Sequence, residues 1–318
     1  PMRKAVLKAL TPRRIAAMEP VLREIASGLI EEIAAQDEAD LMSGLAVPLP
    51  GYAGFSLLGF PESDWDMVKG WCTRRVQLTY GRLPNDEQVE VAETIKNFWD
   101  YCDAHVAMLE ADPAENFTSD LIAYAADQPE FERLDLVRIV YAIALAGHDS
   151  TTAAMGTGLR HLLGHPDQWQ RLVADRSLIP NAVEEMLRFD PPILGHRRVT
   201  KREVEIGGIT IPAGAQLLLA FAAGHRDPDK FEDPNTFDVA REGARAHLSF
   251  GKGVHLCIGA PLARLEMKIM LETMANLIPD VRLVDDQDFT IVPNLVFRNL
   301  EHLSVTTGHD GRTTEGVR

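Results

Sequence analysis

Ten consecutive residues near the end of this 318-residue chain combine a cysteine with glycines at fixed spacing. Residues 250–259 read F-G-K-G-V-H-L-C-I-G, which is F-x-x-G-x-x-x-C-x-G, and a helical pattern begins at Ala260. Free N–H groups and the helix dipole favour a thiolate at Cys257, just before that helix. Thiolates bind soft metal centres, and glycines let the backbone pass close to a flat, bulky group. The alternative is a buried cysteine with a purely structural role in packing. Without the surrounding motif, this would be the preferred interpretation of a single cysteine.

A second polar segment lies in the middle of the longest predicted helix, which covers residues 134–163. Residues 146–152 read A-G-H-D-S-T-T, although a helix interior disfavours glycine and small polar residues. Such residues loosen the hydrogen-bond ladder and leave room for a small ligand and water. Asp149 next to the hydroxyl of Ser150 can relay protons from solvent to a buried site. The alternative is a helix kink whose hydroxyls bond internally.

A third motif, E-x-x-R, places Glu185 and Arg188 on a helix predicted at residues 180–189. The i,i+3 spacing puts the two side chains next to each other. On most helices such a pair is solvated and contributes little to stability. A P-x-x-F stretch follows at residues 234–237.

These motifs, in this order, resemble those of the cytochrome P-450 family. The resemblance extends from Arg3 to about Val305 and is closest to the soluble bacterial type, including the turn at residues 224–228. It implies a mainly α fold with small β-sheets, in a single heme-thiolate monooxygenase domain over residues 1–305. It also implies an enzyme that inserts one oxygen atom from O2 into an apolar small-molecule substrate. On the same resemblance, we expect residue 1 to fall after the family's N-terminal strands and first helices.

The resemblance also implies a cofactor, heme b, whose iron takes Cys257 as its axial thiolate. Arg3, Arg198 and His255 match family positions that pair with the heme propionates. We call residues 250–259 the cysteine loop. Further cofactor-binding residues are expected in this loop and on the long helix predicted at residues 134–163: Ala146, Gly147, Phe250, Gly251, Ile258 and Gly259.

On the same basis, Asp149 and Ser150 are expected to deliver protons, although many family members carry Thr where Ser150 stands. Glu185 and Arg188 are expected to form a buried structural pair. Thr236 occupies the position where the family often has an Arg partner, which leaves His225 and Arg241 as alternatives. The substrate pocket is expected to be apolar and lined by Tyr141, Ala142, Leu145, Ile193, Leu194, Val296 and Phe297.

Electrons must come from another protein, because the sequence shows no flavin or nicotinamide motif. Lys252, Arg264 and Lys268, in or after the cysteine loop, predict a basic patch for an acidic ferredoxin or flavodoxin. The alternative is ordinary solvated helix charge. Two other functions remain open: a heme-binding protein or inactive fragment without turnover, and a helical interaction protein with no cofactor.

The composition excludes several classes of protein. A net charge of −15 argues against a general nucleic-acid binder. No apolar run reaches the length of a membrane span, and the apolar segment at residues 45–60 is interrupted by two prolines and a glycine. Three widely spaced cysteines do not make a disulfide framework, and with no visible signal peptide they suit the cytoplasm.

The periodicity of apolar residues predicts a helical first half and a mixed second half. A strand pair is expected at residues 199–211, with Gly207 and Gly208 in its turn. Residues 306–318 are expected to form a polar, disordered tail. Helices are predicted near residues 12–33, 63–80, 86–110, 134–163, 167–175, 180–189 and 258–278.

Overall fold

The computed structural model describes residues 2–80, 83–293 and 296–308. Its α-helices α1–α12 are Met2–Ala9, Pro12–Ala17, Glu19–Ala34, Pro48–Leu58, Trp65–Tyr80, Asn85–Ala111, Phe117–Ala126, Arg133–Leu163, Pro166–Ala174, Ile179–Phe189, Phe221–Gly224 and Ala260–Leu277. Its strands β1–β7 are Glu38–Asp40, His196–Val199, Val204–Ile206, Ile209–Ile211, Gln216–Leu219, Arg282–Leu283 and Ser304–Thr306. The predicted class, mainly α with small sheets, is confirmed.

The long helix α8 occupies the centre of the fold. It packs against α4, α5, α6, α7 and α10, and every residue from 151 to 159 is buried. A capping box begins this helix, in which the Glu132 and Asp135 side chains each accept a backbone N–H bond. A helix covered on so many sides holds its side chains rigidly, which suits a site built on it.

Helix α4 was not predicted, because prolines interrupt the apolar segment from which it forms. Pro48 is the first residue of the helix, where a missing N–H costs nothing. The helix ends at Gly59, whose φ of 80° lies in the left-handed region. Prolines confined to a first turn are therefore compatible with a helix buried on nearly every side.

Three small antiparallel sheets complete the fold. Their strand orders are β1-β7-β6, β2-β5 and β3-β4. Gly207 and Gly208 turn the β3–β4 hairpin with φ angles of 59° and 77°, as predicted. The predicted start of that strand pair was wrong, because Val199 ends β2 and pairs with Gln216 of β5.

The end of the described chain is packed onto β1. Thr306 pairs with Glu38, and the Thr307 hydroxyl donates to the Gln36 carbonyl at 2.6 Å. The ordered chain thus continues past residue 306, where the polar tail was expected to begin. Residues 309–318 of that expected tail lie outside the described residues. Among the described residues, none of the helices combines the length and the apolar character that a membrane span needs.

Candidate functional site

The cysteine loop is closed by backbone hydrogen bonds. The Cys257 N–H donates to the Phe250 carbonyl at 2.8 Å, and the Gly251 N–H donates to the Leu248 carbonyl at 2.8 Å. Gly251 and Gly253 have φ angles of 69° and 72°, which a residue with a Cβ rarely adopts. The two glycines therefore allow the tight path that carries Cys257 to the start of α12.

Cys257 is an exposed residue of this loop, whereas Cys72 and Cys102 are buried. Burial of its sulfur within the loop raises the pKa of the Cys257 thiol. The Gly259 and Ala260 N–H groups oppose that rise, since they bond to the sulfur and stabilise a thiolate. The start of α12 thus aims hydrogen-bond donors at the sulfur of an exposed residue, an arrangement that suits a metal-binding thiolate.

Two of the three predicted cationic residues belong to this loop or contact it. Arg3 of α1 donates from Nη2 to the Leu256 carbonyl at 2.7 Å, although the two residues are 253 positions apart. His255 ends the short 3₁₀ turn Gly253–His255 and is exposed. Arg198 lies on β2, is exposed, and donates to the Arg197 carbonyl at 2.8 Å.

The middle of α8 offers a surface of small residues. Ala142, Ala146 and Gly147 are exposed there, in contrast to the wholly buried turns that follow. A Cβ added at Gly147 would meet no described atom within 4 Å. This stretch of α8 can therefore accept the face of a flat group, and a cysteine thiolate is a ligand suited to heme iron.

Asp149 is buried, with 8% of its surface exposed. Burial raises the pKa of this carboxyl to about 7, and the Arg75 guanidinium on α5 opposes the rise. A carboxyl that is half ionised near pH 7 can both give and take a proton. No feature of the sequence around Arg75 indicated this role, because it depends on α5 packing against α8.

The Ser150 hydroxyl donates to the Ala146 carbonyl, four residues earlier, at 2.9 Å. Such a bond from a Ser side chain to the carbonyl four residues earlier competes with the helix ladder, although α8 stays α-helical through this position. The hydroxyl thus bonds internally in this state, as the helix-kink alternative requires.

The expected pocket residues come from two places. Ile193 and Phe297 form an antiparallel bridge, which brings the chain around Leu194 next to that around Val296. Tyr141 and Leu145 lie on α8. The Tyr141 ring packs against Phe98 and Trp99 of α6, at centroid distances of 5.0 and 5.5 Å.

The E-x-x-R pair is fully buried. Arg188 donates to both carboxylate oxygens of Glu185, at 2.6 and 2.8 Å. Arg241 is the third member, since its Nε donates to Glu185 Oε1 at 3.1 Å. Thr236 and His225 contribute only carbonyl oxygens, which accept from Arg188. Of the two alternatives left by the sequence, the structure selects Arg241.

The cations of the predicted basic patch are not all free to face a partner protein. Arg264 donates from Nε and Nη2 to the buried Glu184, at 2.6 and 3.0 Å. The Lys268 Nζ lies 3.5 Å from Oε1 of Glu272, which is one turn further along α12. Two of the three predicted cations are therefore engaged with carboxylates of this chain. Glu184 was missed because its partners are distant in sequence.

Comparison with known proteins decides the family. The profile described as Cytochrome P450 matches residues 54–276. The chain belongs to the cytochrome P450 family. Cyclomarin C epoxidase CymV of Salinispora arenicola is 37% identical over 86% of this chain and 69% of its own. Cytochrome P450 monooxygenase PikC of Streptomyces venezuelae is 34% identical, over 96% of this chain and 72% of its own.

Solved P450 structures share the fold. Cytochrome P450 CREJ, in complex with (4-ethylphenyl) dihydrogen phosphate, superposes with a TM-score of 0.88 at 37% identity, covering 94% of this chain and 75% of its own. The Tepidiphilus thermophilus P450 heme domain gives a TM-score of 0.91 at 32% identity, and the match covers 96% of this chain and 75% of that domain. The predicted family, fold and monooxygenase class are thus confirmed, and P450 monooxygenases receive electrons from a redox partner.

Proposed function

We propose that Cys257 would bind the iron of heme b as a thiolate, and that this P450 oxygenates an apolar small molecule with electrons from an acidic donor protein. The sulfur of Cys257, an exposed residue, is faced by the amide N–H groups at the start of α12, and this arrangement carries the proposal. Bound at that sulfur, heme iron would supply oxygen activation and oxygen transfer. Residues of this chain would bind the cofactor, deliver protons and contact the substrate.

Several residues would hold the group. Ala146 and Gly147 would lie against its flat face, since they leave that side of α8 free of bulk. Arg3, Arg198 and His255 would neutralise its carboxylates. Phe250, Gly251, Ile258 and Gly259 complete the loop around the sulfur.

Asp149 and Ser150 are the proposed proton donors. The pKa of Asp149, about 7, lets the carboxyl exchange its proton at physiological pH. The Ser150 hydroxyl would exchange its bond to the Ala146 carbonyl for one to a water or a ligand. One such hydrogen bond is worth about 1 kcal/mol net, so the exchange is reversible.

The proposed substrate is a largely apolar natural product. Its site would be formed by Tyr141, Ala142 and Leu145 on α8 and by the bridged segments around Ile193 and Phe297. Relatives named 6-deoxyerythronolide B hydroxylase and Vitamin D3 dihydroxylase are 34% and 33% identical to this chain. Their names support a substrate of this kind, without choosing one.

The proposed donor is a protein of ferredoxin or flavodoxin type, and α1 is its proposed docking surface. A groove of about 670 Å³ is lined by Arg3, Lys4, Leu7, Lys8 and Thr11. Arg3 ties this helix to the cysteine loop, where Lys252 is also exposed. A basic groove on a chain of net charge −15 would attract an acidic partner electrostatically.

We propose the cytoplasm as the location of this protein, because free cysteines suit a reducing compartment.

The first experiment is the difference spectrum of the reduced, carbon-monoxide-bound protein, for the wild type and for Cys257→Ser. A strongly red-shifted thiolate-type Soret band that Cys257→Ser abolishes is expected. The same band in Cys257→Ser would overturn the ligand assignment. Cys102→Ser is the matched control, since that thiol is buried on α6. A thiolate band without product from any apolar substrate would instead favour a heme protein without turnover.

A second experiment tests the donor. Lys4→Glu with Lys8→Glu should slow reduction by an acidic ferredoxin about tenfold at low salt, and much less at high salt. The control, Lys96→Glu, changes an exposed lysine that pairs with Asp100 on α6. Equal rates for all three proteins at low salt would refute the docking surface. Parallel titrations with a ferredoxin and a flavodoxin would distinguish the two donor types.

A further inference from the structure

A buried carboxylate outside the E-x-x-R pair stands behind the cysteine loop. Glu184 of α10 is 7% exposed and accepts from His247 Nε2 at 2.9 Å. It also accepts from Arg264 Nε and Nη2, at 2.6 and 3.0 Å. Burial would raise the pKa of Glu184, but the bonds from His247 and Arg264 outweigh burial and lower it to about 2. Glu184 is therefore an anion under all physiological conditions.

The state of His247 follows from its hydrogen bonds. The Ser249 N–H donates to Nδ1 of His247 at 3.1 Å, so that nitrogen carries no proton. The other ring nitrogen, Nε2, must then donate its proton to Glu184. Arg264 is the guanidinium that pairs with Glu184 at 2.6 Å, and its charge balances that of the carboxylate.

Arg264 connects this ion pair to the loop. Its guanidinium lies over the Phe250 ring, 4.5 Å from the ring centroid. The Phe250 carbonyl accepts the Cys257 N–H at 2.8 Å. The Arg264 charge also favours the ionised form of the Cys257 thiol. A continuous set of contacts thus runs from Glu184 through Arg264 and Phe250 to Cys257.

We propose that Glu184, His247 and Arg264 form a charge-balanced clamp that sets the reduction potential of the iron held at Cys257. The inference rests on the proposed ligation by Cys257 and goes beyond it. An electron gained from the donor would make an iron site at Cys257 more negative, so a nearby positive charge would favour its reduced form. Glu184 offsets the positive charge of Arg264 and keeps the potential lower than Arg264 alone would set it. Glu184 and Arg264 are positioning residues, since they act through Phe250 and the local field.

The test is the midpoint potential of the heme-loaded protein, from spectroelectrochemical titration at pH 8. Glu184→Gln leaves the Arg264 charge unbalanced and should raise the potential. Arg264→Met leaves the Glu184 charge unbalanced and should lower it. Each change should alter the ratio of reduced to oxidised protein at the wild-type midpoint by more than Arg245→Met does, and the two changes should act in opposite directions. The double variant should return close to the wild-type value.

Two controls separate charge from structure. Arg264→Lys keeps the charge without the planar contact over Phe250, and should shift the ratio less than twofold. Arg245→Met removes a cation 3.8 Å from the same carboxylate, but this side chain is 77% exposed, so water screens it. That variant should leave the potential nearly unchanged.

The outcomes distinguish this inference from the ligand assignment. The thiolate-type carbon monoxide band must be present in each variant, which tests ligation by Cys257 independently. With that band intact, opposite shifts in the two single variants and their cancellation in the double variant would support the clamp. Shifts of the same sign, or no shift in either single variant, would overturn it. If Arg264→Met loses the band and Arg264→Lys keeps it, Glu184→Gln decides: a raised potential supports the clamp, and an unchanged or lowered potential overturns it.

Discussion

The buried carboxyl of Asp149 should make the stability of this protein fall as pH rises. Its pKa is about 7 in the folded chain, against 3.8 for an accessible Asp. The folded state holds its proton more tightly than the unfolded state, so folding loses free energy as pH rises from about 4 to about 7. Above the folded pKa the full cost applies, about 4 kcal/mol from the difference between the two pKa values.

Asp149→Asn removes this titration and keeps a neutral side chain of similar size. Its free energy of unfolding, relative to wild type, should increase by about 2 to 3 kcal/mol between pH 5 and pH 8. Urea unfolding at the two pH values measures this change, in the heme-loaded protein. Glu24→Gln is the matched control, because Glu24 is exposed on α3. A gap between wild type and Asp149→Asn that does not widen with pH would refute the argument.

Three further predictions concern other contacts. Arg241→Met leaves the fully buried Glu185 with one charged partner fewer, and should lower the free energy of unfolding in urea by about 3 kcal/mol. A decrease of less than about 1 kcal/mol would contradict this prediction. Gly59→Ala should lower the unfolding free energy by about 2 kcal/mol in thermal unfolding, because φ is 80° and the new Cβ would lie 2.2 Å from Asn116 Nδ2. Ser150→Ala should divert reducing equivalents from product to peroxide. An unchanged yield of product per electron would argue against a role for its hydroxyl in proton delivery.

Local sequence was enough to predict most of the helices and one hairpin. Thr11 caps α2 through its hydroxyl, which accepts the Arg14 N–H at 3.1 Å, and Pro12 follows at the first helical position. The β3–β4 turn needed two residues that tolerate a positive φ, and Gly207 and Gly208 supply them. Helix α4 was missed because a proline near a helix start and a proline that breaks a helix look alike in one sequence.

The cysteine loop is the part of the site that the sequence determined by itself. Its glycines, its cysteine and the helix behind it act over ten residues, so their spacing already specifies the turn and the donors that face the sulfur. The position of Asp149 on a long helix could be predicted in the same way. Its proton affinity could not, because desolvation depends on what packs over the helix.

Only the tertiary structure decided which charges meet. Arg241 reaches Glu185 across 56 positions, and Arg264 reaches Glu184 across 80. From sequence alone, Arg264 was expected to be a surface cation for a redox partner, and the fold instead buries its partner next to the loop. Periodicity shows which face of a helix is covered. It does not show which distant carboxylate lies there, because that depends on how α10 and α12 pack together.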